Sequence, residues 1–417
     1  MTDLLQKIQH LQFEDRGRAE SLLREFIQAT FPSLDVDTVE LRPQAVSLNS
    51  FNGFLKLDDD QRLFFKTHTE QDNVIDEYYN AKLLAESGYP VIQPMYSSTQ
   101  AGQHLLIYEL ISVPSVFDVA WSIEQGEEKD SFDTLKAAQI DADKQLFDLY
   151  MATLELQSLN ADRKAPVHQL FLHRLVGGRF HRFYGDNVEV ELPNKSYKMR
   201  NLLDRRWIIN GQEYEESLND IVNRITMHTF NSNQFEAELP SVIGHGDAHN
   251  GNVFFYKDLH PPQLIYFDPA FAGRHHPLID IVKPLFHNVF AMWMYFPQVK
   301  LQTTRISVRD KANTLQVDYD YDLPAVRQMF LNSKIDHVLL PVLTELKRRN
   351  WLAPNWRDYL KAALCCCPLL TLNLADSQRF SPEIRALGFT MTVEMGSESQ
   401  QKRSFIDQRL DEISEKI

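Results

Sequence analysis

The sequence has few cysteines and no long apolar run. Its 417 residues include only three cysteines, Cys365, Cys366 and Cys367, which are adjacent and cannot build a disulfide framework. They also lack the spaced partners of a zinc site, so we expect buried, reduced thiols. No stretch approaches the roughly 18 uninterrupted apolar residues of a membrane-spanning helix. Charges interrupt the apolar positions of the N-terminal residues, unlike in a secretory signal. These absences predict a cytoplasmic chain without a membrane partner.

Positive charge is also scarce over the whole chain. Lysine and arginine number 43 against 57 acidic residues, which gives a net charge of −14 and argues against a nucleic-acid partner. One segment differs, because 163–206 holds ten basic and four acidic residues. A charge run is usually a solvated face, but this one also fits a surface for an anionic substrate group. Both interpretations stay open at this point.

Hydrophobic spacing predicts an α+β chain with two different parts. The first part is a small antiparallel sheet with one helix, preceded by a long N-terminal helix that ends before Pro32. Its predicted elements are a helix at 3–29, a hairpin of strands 54–57 and 63–66, a helix at 73–87, and strands at 91–96 and 104–110. The second part is larger and mainly helical. It begins with a predicted helix at 132–159 and includes a ribbon of strands at 299–308 and 315–322.

The segment with the most chemical information reads GHGDAHNGNVFF from Gly244 to Phe255, followed shortly by LIYFDPAFAG. It contains Asp247, Asn252 and Asp268. The apolar strands 253–255 and 264–267 predict a hairpin that brings these three side chains to the same end. Phosphoryl transfer needs these residue types. One carboxylate orients the attacking hydroxyl and takes its proton, while an amide oxygen and a second carboxylate hold magnesium against the phosphates.

HGDAHNGN resembles the catalytic loop H-G-D-x-x-x-x-N of the aminoglycoside phosphotransferase and choline kinase superfamily, whose members are relatives of the protein kinases. The resemblance implies a two-lobed protein-kinase-like fold, with a small antiparallel-sheet lobe and a larger helical lobe. It further implies Asp247 as the catalytic base, and Asn252 and Asp268 as Mg²⁺ ligands. His245 would be a structural residue of the loop, and Asp280 would brace that loop.

The same resemblance implies a nucleotide site in the first part of the chain. Lys66 ends a predicted strand and would align the phosphates of ATP, with GTP as a possible substitute, while Glu77 on the next helix would hold Lys66. The backbone of Glu109 and Ile111 matches the interlobe hinge that binds adenine. The loop over the phosphates, 48–54, has one glycine where protein kinases have three, so the cradle would depend on Ser50, Asn52 and Gly53.

Only eleven residues separate Asp268 from Asp280, which leaves no room for the activation segment of a protein kinase. We therefore expect a small-molecule hydroxyl acceptor: a metabolite, a sugar-like compound or an antibiotic. The DPA sequence at Asp268 is similar to fructosamine kinases and favours a sugar-like hydroxyl. The predicted domains are an N-terminal helix (1–36), a nucleotide-binding lobe (37–111) and a helical lobe (112–417). The helical lobe would contain the catalytic loop (244–273), a substrate-side insertion (163–239) and the ribbon (299–322).

Two alternatives stay open. One is a nucleotide-binding pseudokinase that acts as a scaffold, for which the glycine-poor phosphate loop is the only support in the sequence. The other is transfer of a nucleotidyl group instead of a phosphoryl group, about which no residue is informative.

Overall fold

A computed structural model describes residues 2–42, 50–68, 75–98, 100, 103–193, 195–230 and 238–417. The chain divides into two compact units. The first comprises Met1–Glu86, Pro90–Val113 and Phe267–Ala270, and the second comprises Ser87–Tyr89, Pro114–Tyr266 and Phe271–Ile417. Helices and antiparallel sheets occur together, which confirms the predicted α+β class. The domain limits at 36 and 111 that the sequence indicated stay a proposal.

The first unit is built on a five-stranded antiparallel sheet with the strand order β1-β2-β3-β5-β4. The predicted hairpin is present, with Phe54 opposite Phe64 and Leu55 opposite Leu63. Alternate strand residues such as Leu55 are buried against the N-terminal helices, because successive side chains of a strand point to opposite faces. The elements are α1 (Thr2–Glu14), α2 (Arg16–Thr30), β1 (Val36–Leu41), β2 (Ser50–Leu57), β3 (Arg62–His68), α3 (Ile75–Glu86), β4 (Tyr96–Ser98) and β5 (Leu105–Glu109).

Two predictions for this unit were wrong. The helix expected at 3–29 is two helices, because Asp15 between them leaves the helical conformation and its side chain accepts a hydrogen bond from the Arg18 amide. The strand expected at 91–96 is absent, and β4 begins only at Tyr96. Pro90 and Pro94 lack the amide hydrogens that a strand ladder needs, which explains the later start.

The second unit is mainly helical. Its helices are α4 (Val116–Gln125), α5 (Phe132–Thr153), α6 (Leu159–Lys164), α7 (Leu172–Val176), α8 (Arg179–Tyr184), α9 (Met199–Leu203), α10 (Leu218–Arg224), α11 (Pro277–Asp280), α12 (Val282–His287), α13 (Met292–Tyr295), α14 (Pro297–Thr303), α15 (Ala325–Lys334), α16 (Leu340–Arg348), α17 (Trp356–Thr371), α18 (Pro382–Gly396) and α19 (Phe405–Lys416). Its strands are β6 (Glu155–Ser158), β7 (Glu189–Glu191), β8 (Ser196–Lys198), β9 (Arg206–Ile209), β10 (Gln212–Tyr214), β11 (Glu238–Gly244), β12 (Val253–Tyr256), β13 (Gln263–Tyr266), β14 (Gly273–His275), β15 (Ile306–Lys311) and β16 (Thr314–Tyr319).

Two element boundaries in this unit differ from the predictions. The helix expected at 132–159 ends at Thr153, because the next residues form β6 and pair with β11. Residues 299–303, expected in the ribbon, belong to α14, which has Pro297 at its first position, where a missing amide hydrogen costs nothing. The ribbon itself is β15 with β16, and β9 extends it by parallel pairing with β16.

The three cysteines lie on α17, which packs against α18, and all three are buried free thiols as predicted. Burial raises the pKa of Cys365 to about 12, so this thiol stays protonated and unreactive near neutral pH. None of the helices within the described ranges is long and apolar enough to cross a membrane.

Candidate active site

Two glycines shape the loop that follows β11 in the second unit. Gly246 has a φ of +79°, and a Cβ atom there would lie closer than 3.0 Å to the Phe271 carbonyl oxygen. A Cβ on Gly244 would lie 2.6 Å from the side chains of Asp280 and His275. Both positions therefore require glycine, one for its backbone conformation and one for close packing. The G-H-G part of the motif is thus a steric requirement of this turn.

The buried carboxylate of Asp280 holds this loop in place. Its Oδ1 accepts hydrogen bonds from the Gly246 amide (2.5 Å) and from His275 Nε2 (2.9 Å), and its Oδ2 accepts one from the Tyr150 hydroxyl. Burial alone would raise the pKa of Asp280, but the bonds and charge of His275, with the other two donors, lower it to about 2. The carboxylate is therefore ionised at neutral pH and fixes the loop backbone.

Asp247 has a fixed backbone and an available carboxylate. Its amide donates to His245 Nδ1 (3.3 Å), and its carbonyl accepts from the His249 amide (2.9 Å) and from Asn252 Nδ2 (2.9 Å). The side chain is 17% exposed, yet within the described ranges its buried Oδ1 has no hydrogen-bond partner. Lys283 Nζ lies 3.9 Å from that oxygen, beyond hydrogen-bond range. The loop thus presents a carboxylate oxygen that can accept a hydrogen bond from a ligand.

Asn252 is positioned by the start of the predicted hairpin, which is present as β12 and β13 with Val253 opposite Tyr266. Its Nδ2 donates to the Asp247 carbonyl, which leaves its Oδ1 as an acceptor or metal ligand. His245 is buried in the same loop, with its ring 5.6 Å from that of Tyr266. Asp247, Asn252, His245 and Asp280 are therefore brought together within the second unit.

Lys66 and Asp268 are brought together within the first unit. Lys66 Nζ, on β3, donates to Asp268 Oδ1 over 2.6 Å. Asp268 has a φ of +55°, an uncommon conformation for a residue other than glycine, and Pro269 follows it. The neighbouring Phe267 ring lies 5.2 Å from that of Tyr108 and 6.2 Å from that of Phe64. Such backbone strain is characteristic of functional positions, where the surrounding contacts maintain it.

The remaining predicted nucleotide-site residues are distributed along this unit. Asn52 and Gly53 lie on β2, so the described part of the phosphate loop is strand, with Asn52 opposite Lys66. Gly53 pairs with Leu41 of β1, and a Cβ there would overlap the Phe65 ring. Glu109 ends β5, and Ile111 follows two residues later. The side chains of Ser50 and Glu77, and residues 43–49, lie outside the described part of the chain.

The sequence analysis missed Lys283, which lies beside Asp247. Lys283 is on α12, only 4% exposed, and its Nζ lies 3.4 Å from His287 Nε2, one helical turn further on. Burial lowers the pKa of His287 well below its ordinary value, and the nearby positive charge of Lys283 adds to this effect, so the ring accepts from Lys283 as a neutral base. The signal was a lysine inside the mostly apolar stretch from Pro277 to Met294.

The residues that the sequence predicts as metal ligands, Asn252 and Asp268, have oxygen donor atoms. Among the residues that the structure describes, no three His, Cys, Asp or Glu side chains are grouped as a metal site. Magnesium commonly takes one or two protein carboxylates and completes its coordination with water and substrate phosphates. The Asp268 carboxylate in the first unit and Asn252 Oδ1 in the second are each an oxygen donor of this kind.

No protein-family model matches the sequence, and no curated protein matches it. Solved structures that resemble it include an ethanolamine kinase from Plasmodium vivax, with 11% identity, a TM-score of 0.42, and 85% of this chain and 82% of that one covered. A fructosamine-3-kinase from Thermobifida fusca has 15% identity and a TM-score of 0.40, with 88% and 96% covered. An aminoglycoside phosphotransferase in ternary complex with AMP-PNP and hygromycin B has 8% identity and a TM-score of 0.47, with 90% and 98% covered.

Proposed function

We propose that this chain is a small-molecule kinase that transfers the γ-phosphoryl group of ATP to a hydroxyl of a metabolite, sugar-like compound or antibiotic. The observation that carries the proposal is the buried Oδ1 of Asp247, which accepts no hydrogen bond from the described residues, on a loop fixed by Asp280. A buried acceptor without a donor costs about 1–3 kcal/mol, so such an atom is expected where a ligand supplies the donor. The hydroxyl of an acceptor is a suitable donor.

Asp247 is the catalytic base in this mechanism. The hydroxyl donates its hydrogen bond to the Asp247 carboxylate, which aligns the oxygen for attack on the γ-phosphorus and takes its proton. The bond between the γ-phosphorus and the bridging oxygen breaks, and ADP leaves. The hydrogen bonds at the Asp247 amide and carbonyl keep the carboxylate in place throughout. His245 and Asp280 support this geometry without touching the substrate.

Asn252 and Asp268 would hold magnesium, which supplies neutralising charge on the phosphates when bound. Lys66 would align the phosphates of ATP, with Glu77 as its partner on α3. The ion pair between Lys66 and Asp268 supports this assignment, because the lysine that would bind phosphate lies beside the carboxylate that would bind the metal. Ser50, Asn52 and Gly53 would cover the phosphates, and the backbone of Glu109 and Ile111 would bind adenine.

The short connection after Asp268 supports a small acceptor. Between Asp268 and Asp280 the chain forms only β14 and the start of α11, so these residues contain no platform for a protein substrate. A hydroxylated small molecule is therefore the acceptor class that we propose.

The test compares Asp247→Asn with wild type in two assays. The first is thermal unfolding with Mg-ATP, with Mg-GTP in parallel, because a nucleotide at about 100 times its Kd stabilises the folded state by about 2.7 kcal/mol. The second is conversion of ATP to ADP with a panel of hydroxylated compounds, with product mass measured. We expect Asp247→Asn to keep the Mg-ATP shift and to lose about 10²-fold or more of turnover.

Asp258→Asn is the matched control, because Asp258 is exposed between β12 and β13. It should behave as wild type in both assays. Unaltered turnover in Asp247→Asn would refute the assignment of the base. A product heavier by AMP would establish nucleotidyl transfer instead. The absence of a shift with either nucleotide would favour the scaffold alternative.

A further inference from the structure

Lys283 lies beside the Asp247 carboxylate in the second unit, and Arg174 lies one helical turn after Phe171, whose ring Lys283 faces. The buried Lys283 Nζ is 3.9 Å from Asp247 Oδ1 and 6.0 Å from the centroid of the Phe171 ring. Phe171 is itself fully buried, and Arg174 follows it on α7. Burial, with the positive charge of Arg179, lowers the pKa of Arg174 to about 10, against the opposing charge of Asp247. Lys283 therefore belongs to the surroundings of the proposed base, and Phe171 connects it to α7, which holds Arg174.

These cations have little compensating charge. Lys283 is buried and Arg174 is half-buried, and cations in such positions are normally paired with carboxylates. Across the described ranges, no carboxylate lies within 4.0 Å of Arg174, and Asp247 is the only one that close to Lys283. The Arg174 amide donates to the Phe171 carbonyl, but its guanidinium has no protein acceptor within those ranges. Two positive charges thus accompany one negative charge.

We propose that the acceptor carries an anionic oxygen group, a phosphate or a carboxylate, which Arg174 and Lys283 bind while the acceptor hydroxyl contacts Asp247. This inference rests on the kinase activity proposed above and names the substrate class of that site. An arginine matches the two oxygens of such a group with a fork of N–H donors, and a lysine adds a point charge. An acceptor with an ammonium group would meet like charge here, which disfavours cationic amino sugars. Arg174 is one of the ten basic residues in 163–206, so this segment would contribute to binding an anionic acceptor.

The γ-phosphate of the nucleotide is a second source of the same chemistry, and the experiment must separate the two. We would measure thermal unfolding of the full chain with saturating Mg-AMP-PNP, which occupies the nucleotide site, and titrate inorganic phosphate. Potassium chloride at matched ionic strength is the salt control. The variants are Arg174→Gln, Arg174→Lys, and Arg182→Gln as an exposed arginine on α8.

We expect phosphate to raise the Tm of wild type and Arg182→Gln, with an apparent Kd at least tenfold weaker in Arg174→Gln. Arg174→Lys keeps the charge and should bind with intermediate strength. Glucose, glucose 6-phosphate and glucosamine then form a matched neutral, anionic and cationic set, and glucose 6-phosphate should give the largest shift.

Several results would overturn the inference. One is that phosphate raises the Tm equally in all variants, or in none of them. Another is that phosphate raises the Tm only when Mg-AMP-PNP is left out, or that glucosamine raises the Tm more than glucose 6-phosphate does. If phosphate raised the Tm only in the absence of Mg-AMP-PNP, Arg174 and Lys283 would bind the phosphates of the nucleotide and not the acceptor. Failure of the proposed function is distinguishable, because Mg-AMP-PNP alone would then give no shift while the Arg174-dependent phosphate response could persist.

Discussion

At the scale of single residues, Gly246 determines whether the proposed catalytic loop can form. We expect Gly246→Ala to lower the free energy of unfolding by about 2–4 kcal/mol, because the substitution adds left-handed backbone strain and overlap with the Phe271 carbonyl. Urea unfolding measures this loss. Gly17→Ala is the matched control, since nothing lies within 4 Å of a Cβ there and the residue is in α2. The control should be neutral or slightly stabilising. Equal stability of the two variants would contradict this view of Gly246.

The buried carboxylate of Asp280 leads to a prediction of how the stability of the protein depends on pH. Its pKa of about 2 lies below the ordinary value of 3.8, so its contribution to stability is present above pH 3.8 and disappears as the pH falls through 2. Asp280→Asn lacks this titration. The variant should have a lower free energy of unfolding than wild type, and this difference should shrink by roughly 1 kcal/mol when the pH is lowered from about 5 to about 3, and further below that. Urea unfolding at both pH values, with Asp258→Asn as control, checks this. A constant deficit would show that Asp280 does not titrate as described.

The sequence predicted these residues to different extents. The spacing within HGDAHNGN was enough to single out Asp247 and Asn252, because contacts five residues apart in one loop are local. Lys283 could not be placed beside Asp247 in the same way. This neighbourhood depends on how α12 packs against the loop after β11, and a periodic pattern carries no information about such tertiary contacts.

At the scale of elements, the break between α1 and α2 depends on one cap. We expect Asp15→Ala to lower the free energy of unfolding by about 1 kcal/mol, because it removes the acceptor for the Arg18 amide at the first turn of α2. Asp15→Asn keeps an acceptor oxygen and should stay within a few tenths of a kcal/mol of wild type. Urea unfolding of both variants measures the difference. If the alanine and asparagine variants were equally stable, the cap would have no energetic role.

Most elements followed from hydrophobic periodicity, and the errors have local causes. The hairpin of β2 and β3 was predictable, because alternation and an Asp-rich turn agree there. The break at Asp15 was missed, because apolar residues keep helical spacing across it. Residues 299–303 were assigned to a strand, although Pro297 could have indicated a helix start. In each error a single capping or terminal residue outweighed the pattern around it.

At the scale of the whole molecule, the first unit is not continuous in sequence. The segment Phe267–Ala270 clusters with residues from the first 113, although more than 150 residues separate them. Sequence patterns predicted the order of strands and helices but gave no sign of this arrangement, because Phe267 reads as the end of an apolar strand. The structure shows that its ring packs against Tyr108 and that the next residue pairs with Lys66. The first unit is therefore completed late in the chain.

This topology predicts that residues 1–113 alone are less stable than the same residues in the full chain. The fragment lacks the Phe267 contacts with Tyr108 and Phe64, each worth about 0.5–1.5 kcal/mol, and it leaves Lys66 without the Asp268 carboxylate. Hydrogen exchange at the amides of β5 measures the effect, and we expect protection to fall by about tenfold or more in the fragment. Phe267→Ala in the full chain should give a smaller loss at the same amides, because Asp268 remains. Equal protection of β5 in the fragment and the full chain would mean that Phe267–Ala270 adds nothing to the unit with which it clusters.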